Sequence, residues 1–200
     1  NLEFLSASAI RNALLSDNGS ILSQYVPEIT MKQLKMYLGK SNIITIDSFW
    51  TVLYSKLQGY NLIELQEFLD IDFSLASKIL NSYDDCNSIT ELVQKIKTKN
   101  ITHSRITRSL FHILLGIKKE MISNYISNQI TEYVRILGFK KESSHIIRKI
   151  KEYENIFLIN KITNSHKQIS TVAKSMLELD IKSTHLYNQI LYSINKEYKI

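Results

Sequence analysis

Proline occurs once and glycine five times in 200 residues, so the two residues that break helices are nearly missing. That excludes turn-dense sandwiches and barrels and favours a mainly α chain. Cysteine also occurs once, at Cys86, so an internal disulfide is impossible and a reducing, cytoplasmic compartment is expected. The longest apolar runs, Phe111–Ile117 and Ile156–Ile159, fall far short of the roughly 20 residues that span a bilayer. No Walker loop, dinucleotide glycine pattern or G-x-S-x-G elbow is present. The five histidines, His103, His112, His145, His166 and His185, pair with no Cys or carboxylate at metal-ligand spacing, so no metal is expected. No catalytic set is complete. In Asp84-Asp85-Cys86 the acids oppose thiolate formation, and a loop cap is the better reading.

Hydrophobic residues at 44% and charged residues at 22% are globular values. The charge is unevenly placed. Residues 1–92 hold six Lys/Arg against eleven Asp/Glu, whereas residues 93–200 hold nineteen against eight. From Val93 to Lys141 ten basic residues face two acids. Such asymmetry points to a polyanion, with nucleic acid ahead of a membrane.

Cap and stop signals predict helices throughout. Ser6 or Ser8 opens Ala9–Leu15; Thr30–Leu38 follows the break at Pro27 and closes at Gly39; Asp47 opens Ser48–Gln58. Asn61 with Glu64 and Ser88 with Glu91 have capping-box spacing, Asp72 opens Phe73–Ser82, and Thr102 opens about His103 to Ile117. Tyr133–Leu137 and Ile156–Ile162 read as two strands of a minimal sheet flanking a helix Ser143–Tyr153. Ser165–Leu179 and Ser183–Ile194 complete the helices. A boundary falls near residue 40.

On a wheel, Ile106, Leu110, Ile113, Leu114 and Ile117 form a core stripe, and Arg105, Arg108, His112 and Lys119 gather on the other side. Lys95, Lys97 and Lys99 lead into that basic face. Guanidinium forks suit phosphate oxygens, so charge reversal of Arg105 and Arg108 is expected to abolish most binding of such a polyanion and spare the fold. Tyr125, Tyr133 and Phe139 are candidates for stacking on unpaired bases, and Phe49, Trp50 and Tyr54 for an exposed apolar surface.

Leu5-Ser6-Ala7-Ser8-Ala9-Ile10-Arg11 resembles the I-S-S-T-x-I-R motif of nucleotidylyltransferases that carry an H-x-G-H signature. Glu91-Leu92-Val93 through Ile96–Thr102, Arg105, Arg108 and Leu110–Ile117 is similar to a block of the tRNA(Met) cytidine acetate ligase family. Arg135-Ile136-Leu137-Gly138-Phe139 and Leu179-Asp180-Ile181-Lys182-Ser183-Thr184-His185-Leu186-Tyr187 resemble two further blocks of that family, in the same order. The resemblance implies an enzyme that activates acetate with ATP, Mg2+ accompanying it, to acetyl-adenylate and then acetylates the wobble cytidine of elongator methionine tRNA. The H-x-G-H motif is not in this chain, which is expected to be the C-terminal portion, inactive alone. Residues 1–40 would then be a remnant of the nucleotidylyltransferase-like domain and 41–200 a helical tRNA-binding domain. By the same resemblance Arg11, Ser6 and Ser8 would contact ATP. Lys95, Lys97, Lys99, Arg105, Arg108, His112, Lys119, Arg135, Lys140 and Lys141 would hold tRNA, with neither DNA nor membrane expected as partner. Two other readings are a helical interaction or dimerisation module and part of a cofactor adenylyltransferase; the oligomeric state is left open.

Overall fold

The computed structural model describes residues 6–16, 19–38, 43–127, 132–152, 157–160, 162 and 169–196. The chain is mostly helical with one small parallel sheet of two strands. It divides into two units, Asn1–Ser48 with Asn188–Ile200, and Phe49–Tyr187.

In the first unit, Ser6 caps α1 (Ala7–Leu15) by accepting the Ala9 N–H at 3.2 Å. A 3-10 stretch, Gly19–Gln24, packs against both α1 and α2 (Glu28–Leu38). Pro27 sits just before α2, where its missing N–H costs no helical bond, and its carbonyl accepts from Thr30 and Met31. Leu22 and Met31 are buried. The stop expected at Gly39 lies outside the described residues.

The second unit contains α3 (Trp50–Leu57), α4 (Leu62–Gln66), α5 (Phe73–Leu80), α6 (Ile89–Ile96), α7 (His103–Leu115), α8 (Lys119–Ser127) and α9 (Ser144–Lys151). It also holds β1 (Tyr133–Arg135), β2 (Phe157–Ile159) and most of α10 (Thr171–Lys196). The local start signals act as their chemistry requires. Asn61 and Glu64 close a reciprocal capping box, and Asp72, Ser88 and Thr102 accept from Leu75, Glu91 and Arg105. Gly116, at φ +81°, ends α7 in the left-handed conformation that glycine adopts without a Cβ clash. The two strands pair in parallel, Tyr133 opposite Phe157 and Arg135 opposite Ile159, with α9 between them in sequence and packed on β2.

Three expectations are corrected. Asp47 does not cap the third helix: residues Ile46–Phe49 form a 3-10 turn, and α3 begins after Phe49 with no side-chain cap. Instead Ser48 Oγ accepts the Thr45 N–H, which tightens the turn. Helix α7 stops at Gly116, and a separate helix, α8, begins at Lys119. The two C-terminal helices are one, because nothing between Leu179 and Ser183 breaks them. Ser183 and Thr184 turn their hydroxyls back onto the Asp180 carbonyl, so they continue the helix instead of capping a new one.

Helix α7 organises the second unit. Ile106, Leu110, Ile113 and Leu114 are at most 1% exposed and pack toward α3 and α6. The opposite flank is covered as well, since Ser109 and His112 are buried. What covers it is the segment Gln66–Asp72, held by an antiparallel bridge from Phe68 to Lys118. Its bonds are Leu69 N–H to the Ile117 carbonyl (3.0 Å) and Lys119 N–H to the Glu67 carbonyl (2.9 Å).

Candidate nucleic-acid interface

The basic face expected on α7 is present, but it lies against an acidic segment of the same unit. Asp70 has φ 64°, a left-handed conformation that Asp tolerates better than most side chains. The turn aims its carboxylate at α7, 2.6 Å from Arg108 Nε and 3.6 Å from His112 Nδ1. The Asp70 carbonyl accepts from Ser109 Oγ, and the Leu69 carbonyl lies 2.9 Å from His112 Nδ1. A carbonyl only accepts, so this nitrogen carries the proton. One turn back, Asp72 serves twice: Oδ1 caps α5 at Leu75 N–H (2.8 Å), and Oδ2 accepts from Arg105 Nη2 (3.0 Å). Lys119 Nζ donates to the carbonyls of Gln66 (2.6 Å) and Ile71 (2.8 Å).

All four groups therefore meet the segment Gln66–Asp72. Arg105 and Arg108 stay 38% and 58% exposed and keep a solvent-facing edge, whereas His112 is buried at 9%. The expectation that charge reversal leaves the fold untouched is corrected for the same reason. Arg105→Glu with Arg108→Glu sets two new carboxylates against Asp72 and Asp70. The double variant is expected to lose about 1–3 kcal/mol in a urea titration, well beyond the value of two exposed ion pairs. An unchanged midpoint would mean that these pairs do not hold the segment.

The Leu75 N–H and the neighbouring Arg105 guanidinium hold the Asp72 carboxyl below the ordinary carboxylate range. A depressed carboxylate stabilises the fold above its unfolded pKa, and that contribution fades as the pH falls through the lower, folded value. Asp72→Ala is accordingly expected to cost about 1 kcal/mol at neutral pH, mostly as a lost cap, and less below about pH 4. Melting curves of the variant and the parent at both pH values check this; a deficit independent of pH would contradict it.

The other expected cations divide into tied and free. Lys95 pairs with Asp85 at 2.7 Å. Arg135 on β1 pairs with Asp180 of α10 at 2.6 Å and is only 22% exposed, so it pins the strand to the long helix. Lys97 and Lys99 are exposed around the tight turn Thr98–Ile101, and Lys140 and Lys141 lie exposed before α9. None of these four has an ion pair among the described residues. The wheel of α9 shows what the sequence reading passed over. Ile146, Ile147 and Ile150 share one face, and His145, Arg148 and Lys149 share the opposite one. Its pattern H-I-I-R-K-I-K was the available signal.

The aromatic candidates separate too. Phe49 is buried edge-on against Phe111 (centroids 5.5 Å), and Trp50, Tyr54 and Tyr83 form a chain of ring contacts at 5.8 and 5.5 Å. Tyr133 is half-buried, and burial pushes its hydroxyl pKa up. Phe139, by contrast, is 57% exposed. Cys86 is buried and donates to the Ser82 carbonyl, and burial raises its thiol pKa, as a structural cysteine requires. Among the described residues no three His, Cys, Asp or Glu side chains gather at metal-binding distance. No described helix is long and apolar enough to cross a membrane.

In the first unit Ser8, Arg11 and Asn12 form the exposed side of α1, while Ala9, Ile10, Ala13 and Leu14 form the less exposed side. Ser6 Oγ accepts a backbone N–H and keeps its own O–H to donate. Two hydroxyls and a guanidinium thus lie within the first turns of one helix, a composition suited to an anion.

A tRNA(Met) cytidine acetate ligase from Clostridium perfringens is 30% identical over 201 residues, covering 99% of this chain and 46% of the relative. One from a Thermoanaerobacter species is 29% identical over 186 residues, covering 92% of this chain and 45% of the relative. The chain spans somewhat under half the length of these relatives. Among solved structures, Thermotoga maritima TmcAL in an apo form superposes with a TM-score of 0.85 at 18% identity, over 96% of this chain and 47% of that one. A second form of the same protein, bound with alpha-thio ATP, superposes with a TM-score of 0.85 over 98% of this chain and 51% of that one. At that identity the superposition establishes the fold. The family model described as HIGH Nucleotidyl Transferase matches residues 1–199, and the chain therefore belongs to the HIGH Nucleotidyl Transferase family.

Proposed function

We propose that this chain works within an ATP-dependent ligase that activates acetate as acetyl-adenylate and acetylates the wobble cytidine of elongator methionine tRNA. The observation that carries the reading is the end-to-end similarity to relatives of that name, reinforced by the excess of basic residues after residue 92. In the first step an acetate oxygen attacks the α-phosphorus of ATP and the bond to pyrophosphate breaks. In the second, the cytidine amine attacks the acetyl carbon, AMP leaves, and the nitrogen loses a proton.

The residues divide by unit. Around residues 1–40, Arg11 faces solvent one turn after the Ser6 cap, with Ser8 on the same side. There it balances negative charge growing on the phosphates as pyrophosphate departs, with Mg2+ accompanying the nucleotide. In residues 41–200 the exposed cations, Lys97, Lys99, Lys140 and Lys141 above all, hold tRNA phosphates. Arg105 and Arg108 add the exposed edges of their guanidinium groups. Phosphate contacts set affinity and orientation and carry no sequence information.

Binding of elongator methionine tRNA, with initiator methionine tRNA as competitor, tests the reading across a salt series. The expected result is a steep salt dependence with preference for the elongator. Absence of binding at low salt would favour the interaction-module reading. One observation already counts against that alternative: Phe49, Trp50 and Tyr54 are occupied by ring contacts within their own unit.

A further inference from the structure

We propose that the segment from Leu137 to Lys151, more than the basic face of α7, is the surface that grips tRNA, and that it takes an unpaired loop of the RNA. The proposal rests on the tRNA reading above and locates the contact within it. Its observation is the difference between tied and free cations. Arg105, Arg108 and His112 of α7 and Lys119 of α8 are all bonded to the segment Gln66–Asp72, and Arg135 is bonded to Asp180. Lys140, Lys141, Arg148, Lys149 and Lys151 are all exposed, and among the described residues none of them forms an ion pair. Two acids, Glu142 and Glu152, share this stretch and also stay out of ion pairs. Three positive charges remain in excess, and no ion-pair partner among the described residues answers them.

The apolar side chains at this surface specify the kind of polyanion. Leu137 is 85% exposed and Phe139 57% exposed, and the Gly138 between them has nothing within 4 Å of where a Cβ would stand. The loop therefore stands in solvent with a leucine and an aromatic ring beside the first two lysines. A duplex RNA hides its base faces and would leave both side chains wet. An unpaired loop offers bases that stack on such a ring, while its phosphates meet the lysines. The same mixture of apolar and basic groups also suits an anionic lipid surface, but α9 packs on β2, and its Ile147 and Ile150 are only partly exposed. Between residues 137 and 151 three large apolar side chains, Leu137, Phe139 and Ile146 (48% exposed), are left to insert, fewer than interfacial helices use.

The test measures fluorescent elongator methionine tRNA, its anticodon stem-loop and a blunt duplex of the same stem against the whole chain. Phe139→Ala is expected to weaken stem-loop binding about tenfold and to leave duplex binding alone. Arg148→Gln, Lys149→Gln and Lys151→Gln together are expected to weaken both and to flatten the logarithmic salt slope by about two. Arg105→Gln with Arg108→Gln is expected to change affinity less than either. These α9 side chains are exposed and form no ion pair among the described residues, so neutralisation is expected to leave the melting temperature unchanged, which confirms folding before binding is read. If the parent binds tRNA and the Phe139 and α9 variants bind it equally well, this surface is wrong and the tRNA reading stands. If the parent binds no RNA, the tRNA reading falls and takes the proposal with it. Binding to phosphatidylserine vesicles in place of RNA overturns it in favour of a membrane surface.

Discussion

Arg11→Ala is expected to slow acetate-dependent exchange of pyrophosphate into ATP by about 10²–10³-fold in the protein that carries this chain. Arg11 is exposed on α1 and forms no ion pair among the described residues, so its removal touches no packing. A guanidinium with no ion pair among the described residues is available to a substrate. Its planar fork spans two phosphate oxygens, which a lysine ammonium does not, so Arg11→Lys is expected to recover only part of the rate. The melting temperature should be unchanged in both variants. A normal exchange rate in Arg11→Ala would remove Arg11 from the nucleotide site and leave the family membership intact.

Phe68→Ala is expected to destabilise the second unit by about 3–5 kcal/mol, the usual cost of emptying a fully buried aromatic site. Phe68 is 1% exposed, meets Tyr60 edge-on with centroids 5.2 Å apart, and forms the backbone bridge to Lys118. Its ring anchors the start of the stretch that carries Asp70 and Asp72 to α7. The loss therefore reaches past the cavity, because the partners of Arg105, Arg108 and His112 are positioned by the same anchor. Denaturant titration followed by the tyrosine signal measures it. A cost below about 1 kcal/mol would mean that the segment is held by its hydrogen bonds and not by the ring.

The elements that sequence reading located correctly share a physical character: their causes are local. Asn61 with Glu64, and the caps Asp72, Ser88 and Thr102, act on N–H groups two or three residues away, so the residue types announce the geometry. The same holds for the strands at 133 and 157, where short β-branched and aromatic runs border a helix. Errors arose where a residue had two local uses. Asp47 and Ser183 look like caps, yet the first joins a 3-10 turn and the second turns back inside a continuous helix.

The candidate interface was legible as a charge pattern and not as a charge balance. Composition placed the excess of cations after residue 92, and helical periodicity put Arg105, Arg108, His112 and Lys119 on one face of the helix expected from His103. Which of them are free depends on Asp70 and Asp72, more than thirty residues earlier in the chain. Coulombic pairing follows distance in space, and only the folded backbone, with Asp70 in a left-handed turn, brings those carboxylates within 3 Å of the guanidinium groups. The sequence alone thus determined the helical class, most of the caps and the sign of the charge excess. The tertiary arrangement decided which cations answer one another and which, around α9, still lack a counter-charge among the described residues.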